Sequence, residues 1–210
     1  AAMLLPALNQ AREKARAIHC ASTLKQLGQA VSLYVQDNND QLPPGRTYAP
    51  APVLYWYGGA ETNGLLFQYL PTLKNDNLSI GLVNTSLRSK FSCPTVVPGT
   101  ANQYSYGYNV IVANNANAIF RKVSCFKRVS ETSLLMDAVG NISAYVDTAK
   151  QGTGGYSVGY RHENNKQANV AFVDGHLEIR RFGTIPDDYR PGWTAARTQS
   201  FFWSPLAPQY

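Results

Sequence analysis

The sequence predicts an α+β fold in which one long N-terminal helix packs on an antiparallel β-sheet, and three observations carry this. Apolar residues recur at steps of three and four from Leu4 to Val35. After Gly45 the texture changes to short aromatic or β-branched runs between turn residues. Near the C-terminal third, Asp174-Gly175 stands between two strand-like segments. With 44% hydrophobic and 15% charged residues among 210, the chain can bury a core and suits one compact domain. Its parts are a helical segment over 1–36 and a β-rich head over 37–210.

In the helix, Leu4, Leu8, Ala11, Ala15 and Ile18 continue into Leu24, Leu27, Val31 and Val35, one stripe down a single face. Arg12, Glu13, Lys14, Arg16, Lys25 and Gln29 lie opposite. Pro6 lacks a backbone donor and is expected to kink the first turns, while Asp37-Asn-Asn-Asp40 followed by Pro43-Pro-Gly45 supplies the stop. Such a helix spans roughly 50 Å at 1.5 Å per residue. That length suits a first half belonging to a membrane or fibre core and a second half packed on the head. The opening Ala1-Ala-Met-Leu-Leu-Pro-Ala-Leu8 reads as the end of an apolar run that continues upstream. As it stands it is too short to cross a bilayer, which takes about 20 apolar residues.

In the head, Tyr55-Trp-Tyr57 ends at Gly58-Gly59, and Gly64 to Leu70 reads as a short helix stopped by Pro71. Tyr104, Tyr106 and Tyr108 alternate with small residues as one face of a strand does, and Thr132 to Asp137 reads as another strand. Asn114–Asn117 and Gly152–Gly155 are loops. Ala168–Val173 and His176–Arg181 flank two residues, Asp174 and Gly175, which predicts a type I′ hairpin with Val173 opposite His176, Phe172 opposite Leu177 and Val170 opposite Ile179. Val170, Phe172, Leu177 and Ile179 are then expected on the core face, with His176, Glu178 and Arg180 on the wetter one.

The net charge of +6 is scattered. Its densest knots, Arg12/Lys14/Arg16 and Lys127/Arg128, do not interleave with aromatics as a nucleic-acid groove would, so no nucleic-acid partner is expected. Cys20, Cys93 and Cys125 lack zinc-ligand spacing, and only Cys20 has a histidine neighbour, His19. Spacing alone leaves three single bridges open, beside three free thiols.

Four groups of residues together resemble a bacterial pseudopilin-like family, named for prepilin-type N-terminal processing and an H-X9-DG motif. They are Met3-Leu-Leu-Pro-Ala-Leu8 with Ala11-Arg-Glu-Lys-Ala-Arg16; Cys20 with Leu24-Lys-Gln-Leu-Gly28; Phe91-Ser-Cys-Pro94 with Tyr106-Gly-Tyr-Asn109; and Arg161-His162 with Asp174-Gly175-His176. The match reaches to about residue 182. It departs from the motif between His162 and Asp174, where eleven residues stand instead of nine, and a two-residue loop insertion is expected within Glu163–Gln167. The tail, with Trp193, Phe201-Phe-Trp203 and Tyr210, lies outside the resemblance and is expected to pack back on the head.

The resemblance implies a type IV pilin-like architecture and a non-enzymatic subunit of a type II secretion or type IV pilus-like envelope assembly. Its implied partners are other pilin-like subunits or secretion components, a prepilin peptidase acting on the precursor, and the inner membrane through an upstream segment, with the head in the periplasm or outside the cell. It also implies a Cys20–Cys93 disulfide, because both residues fall in its motifs and Cys125 does not.

No cofactor is expected. Calcium at Asp37–Asp40 is considered because some pseudopilins use it, but the spacing lacks the EF-hand pattern and a helix stop explains these acids. Cys20, Cys93, Tyr106, Asn109, His162, Asp174, Gly175 and His176 are read as structural, with no catalytic or metal role. In particular Asp174 is read as bonding nearby turn amides, and His162 as tying its loop to Asp174 or to a hairpin carbonyl. Two other classes compete. One is a carbohydrate- or peptide-binding module stacking ligands on Tyr55, Trp56, Tyr57, Tyr104 and Tyr108. The other is a metal-dependent hydrolase built from His162, Asp174 and His176.

Overall fold

The computed structural model describes residues 4–47, 54–58, 64–70, 78–109, 112, 122–140, 145–146, 157–186 and 200–203. The loops expected at Asn114–Asn117 and Gly152–Gly155, together with Trp193 and Tyr210, lie outside these residues. The helix α1 spans Leu4–Asp37. Pro6 lies within the described helix. At the other end Asn39 and Asp40 take φ of 51° and 64°, and the Asn38 side-chain amide donates to the Tyr34 carbonyl at 2.8 Å. These left-handed residues and the satisfied carbonyl end the helix where the acidic and amide cluster predicts.

Among the described residues the strands are β1 (Leu82–Val83), β2 (Gln103–Tyr104), β3 (Tyr106–Asn109), β4 (Ser133–Val139), β5 (Tyr145–Val146), β6 (Ser157–Val158), β7 (Gln167–Phe172) and β8 (Leu177–Arg181). The main sheet runs β5-β3-β4-β7-β8, with β6 paired to β4, and β1-β2 form a separate ribbon. The fold is therefore α+β as expected. The sheet is antiparallel except for β3 and β5, which pair in parallel. The expected short helix over Gly64–Leu70 is a single 3-10 turn, Phe67–Tyr69.

Two apolar layers cover the central strands. On one face the second half of α1 presents Leu24, Leu27, Ala30 and Val31 to Tyr106, Tyr108, Leu135 and Ala171. On the other, Met136, Ala138, Ala168, Val170 and Phe172 pack with Tyr160, Ile185, Phe202 and Trp203. The tail thus folds back onto the head at residues 200–203. The Ser133 amide and hydroxyl both donate to the Phe202 carbonyl, at 2.9 and 2.7 Å, and the Trp203 indole donates to the Pro186 carbonyl at 2.7 Å. The Asn109 amide also reaches the Trp203 carbonyl at 3.1 Å. Val170 and Ala171 point to opposite faces, and both are buried.

The β7–β8 hairpin exists, but its turn and register differ from the expectation. Val170 pairs with Glu178 and Ala171 with Leu177, a shift of one residue. Only Gly175, at φ +86°, has a positive φ in the turn, whereas a type I′ turn needs two. The Gly175 amide donates to the Phe172 carbonyl and the Phe172 amide to the His176 carbonyl, both at 2.9 Å. This is a three-residue loop, Val173-Asp174-Gly175, with the glycine supplying the left-handed bulge that closes it. One residue of slip exchanges the faces. Phe172 consequently stacks on the His176 ring, with centroids 4.3 Å apart, while Ile179, expected in the core, is 57% exposed.

The segment expected to hold an insertion forms a single left-handed turn. Glu163, Asn164 and Asn165 have φ of 47°, 56° and 63°, and the amides of Lys166 and Gln167 both donate to the His162 carbonyl at 3.0 Å. Left-handed backbone costs roughly 1–2 kcal/mol per residue, less at asparagine, so the flanking structure must hold this turn in place.

Leu27 lies fully buried where α1 meets the sheet. Leu27→Asp is expected to lower unfolding free energy by about 4 kcal/mol or more, through a lost apolar contact and an unpaired buried carboxylate. The expected single stripe is two: at about 3.6 residues per turn Leu8, Ala11, Ala15 and Ile18 lie on the side of α1 opposite Leu24, Leu27 and Val31. Leu8→Asp, on the exposed part of the helix, is expected to change it by about 0.5 kcal/mol at most. Urea unfolding followed by circular dichroism measures both.

Candidate functional site

The exposed half of α1 ends at Cys20, the first fully buried residue along the helix. Cys20 is bridged to Cys93, 73 positions away, with Cα atoms 5.3 Å apart, and Cys125 is free and exposed. The pairing is the one the resemblance implies. Closing a loop of this length removes about 4 kcal/mol of chain entropy from the unfolded state on a simple polymer account. Cys93 comes from the turn after Phe91-Ser92, held down by the Ser92 hydroxyl donating to the Ser89 carbonyl at 2.6 Å.

Beside the bridge, β4 turns a carboxylate into the helix-facing layer. Asp137 has no exposed surface and pairs across β3 with Tyr106. Its Oδ2 accepts from the Asn169 amide at 2.7 Å and from the Asn169 side chain at 3.0 Å, and lies 3.2 Å from Nε2 of His162. Its Oδ1, also buried, has no hydrogen-bond partner. The same His162 Nε2 stands 4.0 Å from Cys93 Sγ. The ligating atoms of Cys20, Cys93, Asp137 and His162 all lie within 4.8 Å of one another, and all four residues are buried.

The surrounding charges respond to this burial. Burial, reinforced by the negative charge of Asp137, holds the Tyr106 hydroxyl well above its ordinary pKa. The Arg161 guanidinium donates to the Ser105 carbonyl at 2.9 Å and to the Ala138 carbonyl. Burial pulls its pKa down, and Asp137 and Tyr106 oppose that pull.

His162 therefore ties its loop to the sheet as expected, but through different partners. It meets Asp137 and exchanges backbone bonds with Gln167, whereas the expectation placed it on Asp174 or a hairpin carbonyl. The difference follows from the left-handed turn, which brings the chain from His162 directly into β7. Asp174 stays with its own turn, accepting from the His176 amide at 3.1 Å and meeting His176 Nδ1 at 2.5 Å. Among the described residues, His162, Asp174 and His176 do not gather into a metal-ligating group. Asp37 accepts from the Tyr69 hydroxyl and Asp40 from the Ser124 amide, both at 2.9 Å. Hydrogen bonds from Ser124 also hold the Asp40 carboxyl below its usual range. Both acids of the considered calcium segment thus brace neighbouring chain.

The five aromatics of the binding-module reading form a packed cluster in place of a stacking platform. Trp56, Tyr57 and Tyr108 are buried, and Trp56 meets Tyr57 and Tyr108 edge to face at 5.6 and 5.5 Å. The residues that sequence reasoning passed over are Asp137 and Asn169; Arg161 was named only within the motif and given no role. A signal for the first was present, because a carboxylate closing the apolar run Leu134-Leu-Met136 must find partners once buried.

With its bridge closed, the cluster offers no free thiolate, and its histidine and carboxylate are sealed from water. It acts as a brace joining α1, the Cys93 turn, β4 and β7. Comparisons with protein-family models, curated proteins and solved structures found no match to this chain.

His162→Ala removes one donor from Asp137 and is expected to cost about 1–3 kcal/mol of stability, read as a lower urea midpoint. The second expectation concerns alkaline pH. Tyr106 keeps its proton in the folded chain beyond the value near 10 at which an unfolded tyrosine loses it. Its contribution is complete below that pH and is lost as pH rises toward the folded value. The urea midpoint should therefore fall above about pH 10. It should fall less steeply in Tyr106→Phe, the remaining slope coming in part from Tyr69 and Tyr104, which shift in the same direction.

Proposed function

We propose that the chain is a non-enzymatic, pilin-like structural subunit of a type II secretion or type IV pilus-like envelope assembly. The observation that carries this reading is the division of α1. From Cys20 onward one face of α1 is buried in the head, whereas before Cys20 the helix carries apolar residues that none of the described residues buries. Leu5, Leu8 and Ile18 are 64%, 48% and 69% exposed. A helix buried by its own head over one half and carrying uncovered apolar side chains over the other suits a first half that packs on neighbouring subunits. The disulfide at the boundary and the sealed ionisable cluster suit a rigid head outside a reducing compartment and give a reacting substrate no point of entry. None of the described helices is long and apolar enough to cross a membrane, so membrane anchoring in this reading falls to sequence upstream of residue 4.

In cells carrying the native gene, Leu5→Glu and Ile18→Glu together should leave the head's urea midpoint unchanged within error. They should also remove the chain from the cross-linked envelope complexes that the unaltered protein enters. Complexes formed equally well by the double variant would overturn the reading.

A further inference from the structure

We propose that Cys20, Cys93, Asp137 and His162 form a redox-gated metal site, sealed while the disulfide is intact and able to hold one zinc-class divalent cation when a dithiol reduces the bridge. This inference is independent of the pilin-like reading.

The donor set is two sulfurs, one imidazole nitrogen and one carboxylate oxygen. That set suits zinc, which takes such ligands tetrahedrally at about 2.0–2.3 Å. Ligand atoms of such a site stand roughly 3.3–3.8 Å apart. The 4.8 Å limit within which all four atoms already lie leaves only small side-chain adjustments once the sulfurs separate. The ligands come from four places in the chain: α1, the Cys93 turn, β4 and the entry to β7. The fold therefore brings them together and no local sequence pattern does, which is why their spacing matches no zinc motif.

A second observation points to a cation independently of that proximity. Asp137 Oδ1 is buried with no hydrogen-bond partner, while Oδ2 is held by Asn169. A buried carboxylate oxygen with nothing to accept is costly, and a metal ion is one of few partners that fits a closed space. The outer ring that metal ligands require is also present. Asn169 orients the carboxylate, and the Thr95 hydroxyl lies 2.9 Å from Cys93 Sγ. Two thiolates and a carboxylate carry three negative charges, which the divalent cation and the adjacent Arg161 guanidinium together neutralise.

The dithiol gives two electrons and two protons to the bridge, the S–S bond breaks to two thiols, and the dithiol becomes a disulfide. When the cation enters, the two thiols release their two protons to solvent. His162 ligates through Nε2, its ring proton moving from that atom, where it donates to Asp137, to Nδ1. An external disulfide reverses the step: it takes two electrons from the two thiolates and two protons from solvent, leaves as two thiols, and the re-formed bridge expels the cation.

The test uses the full chain with Cys125→Ser, so that only the bridged pair can supply thiolates. The protein is reduced with dithiothreitol, desalted without oxygen, and titrated with Co2+ and then Zn2+. The expected result is one equivalent of Co2+ showing the intense visible bands of tetrahedral coordination and thiolate charge transfer. Zn2+ should displace it, and the oxidised protein should give no such bands. Asp137→Asn and His162→Gln are each expected to weaken binding at least tenfold. Absence of tetrahedral bands in the reduced protein would overturn the proposal, whether or not that protein stays folded. So would equal affinity in both variants, which would show that the thiols bind without the other two ligands. If a variant fails to fold, the stoichiometry and spectrum of the parent decide.

Discussion

A carboxylate without water organises the middle of this molecule. Asp137 lies in the central strand of the sheet, on the face that α1 covers, and a charge there is tolerable only if its neighbours supply what solvent would. Asn169 gives it a main-chain and a side-chain donor, His162 approaches from the loop before β7, and Arg161 stands beside it with its own N–H groups on backbone carbonyls. These contacts fix where residues 161–169 lie. The left-handed turn at Glu163–Asn165 is strained by itself, and it is closed on one side by the His162 carbonyl and on the other by β7. The buried charge thus specifies a chain path as well as a contact, which is a use of buried polar groups distinct from raw stability.

The second constraint is that β4 and β7 are covered on both faces. Alternating polar and apolar residues describe a strand with one wet face, and these strands have none: Val170 and Phe172 meet the tail cluster while Ala171 meets the helix cluster. The aromatic tail is therefore a second layer of the domain. Ser133 and Asn109 secure it by satisfying the backbone carbonyls of Phe202 and Trp203, so the tail's main chain is not left unbonded where it is buried.

This two-sided burial explains what the sequence made legible and what it hid. The helix was readable because apolar residues recur at helical spacing within each half, Leu4 to Ile18 and Leu24 to Val35, and the run ends in left-handed asparagine and aspartate; that the two halves face opposite sides was not. The strand of alternating tyrosines and the strand after Thr132 were readable from their residue types. The hairpin was readable but its register was not. Asp174-Gly175 is compatible with a two-residue loop and with a three-residue loop ending in a bulge, and with apolar residues on both faces of β7 the pattern could not choose. In the candidate site, Cys20, Cys93 and His162 stood out through the resemblance. Arg161 was named there only as part of the motif, and Asp137 and Asn169 did not stand out, since their roles depend on strands far apart in sequence meeting side by side.

The disulfide sits where the helix passes from exposed to embedded. Residues 5–19 of α1 form about four turns that the head covers little, so a lateral load on that half acts as a lever on the point where the helix becomes embedded. Non-covalent contacts resist such a load poorly at the edge of a core, because the outermost side chains have packing partners on one side only. Cys20 sits at that edge, and its bond to Cys93 transfers the load to the turn that also carries Thr95 and faces His162. A bridge placed a turn or two deeper, at Leu24 or Leu27, would protect contacts already held by the sheet and leave the pivot free to pry open. Placed where it is, the covalent link, the buried carboxylate and the entry to β7 meet at one point, so that chemistry at the sulfurs is coupled to how firmly the exposed half of the helix is held.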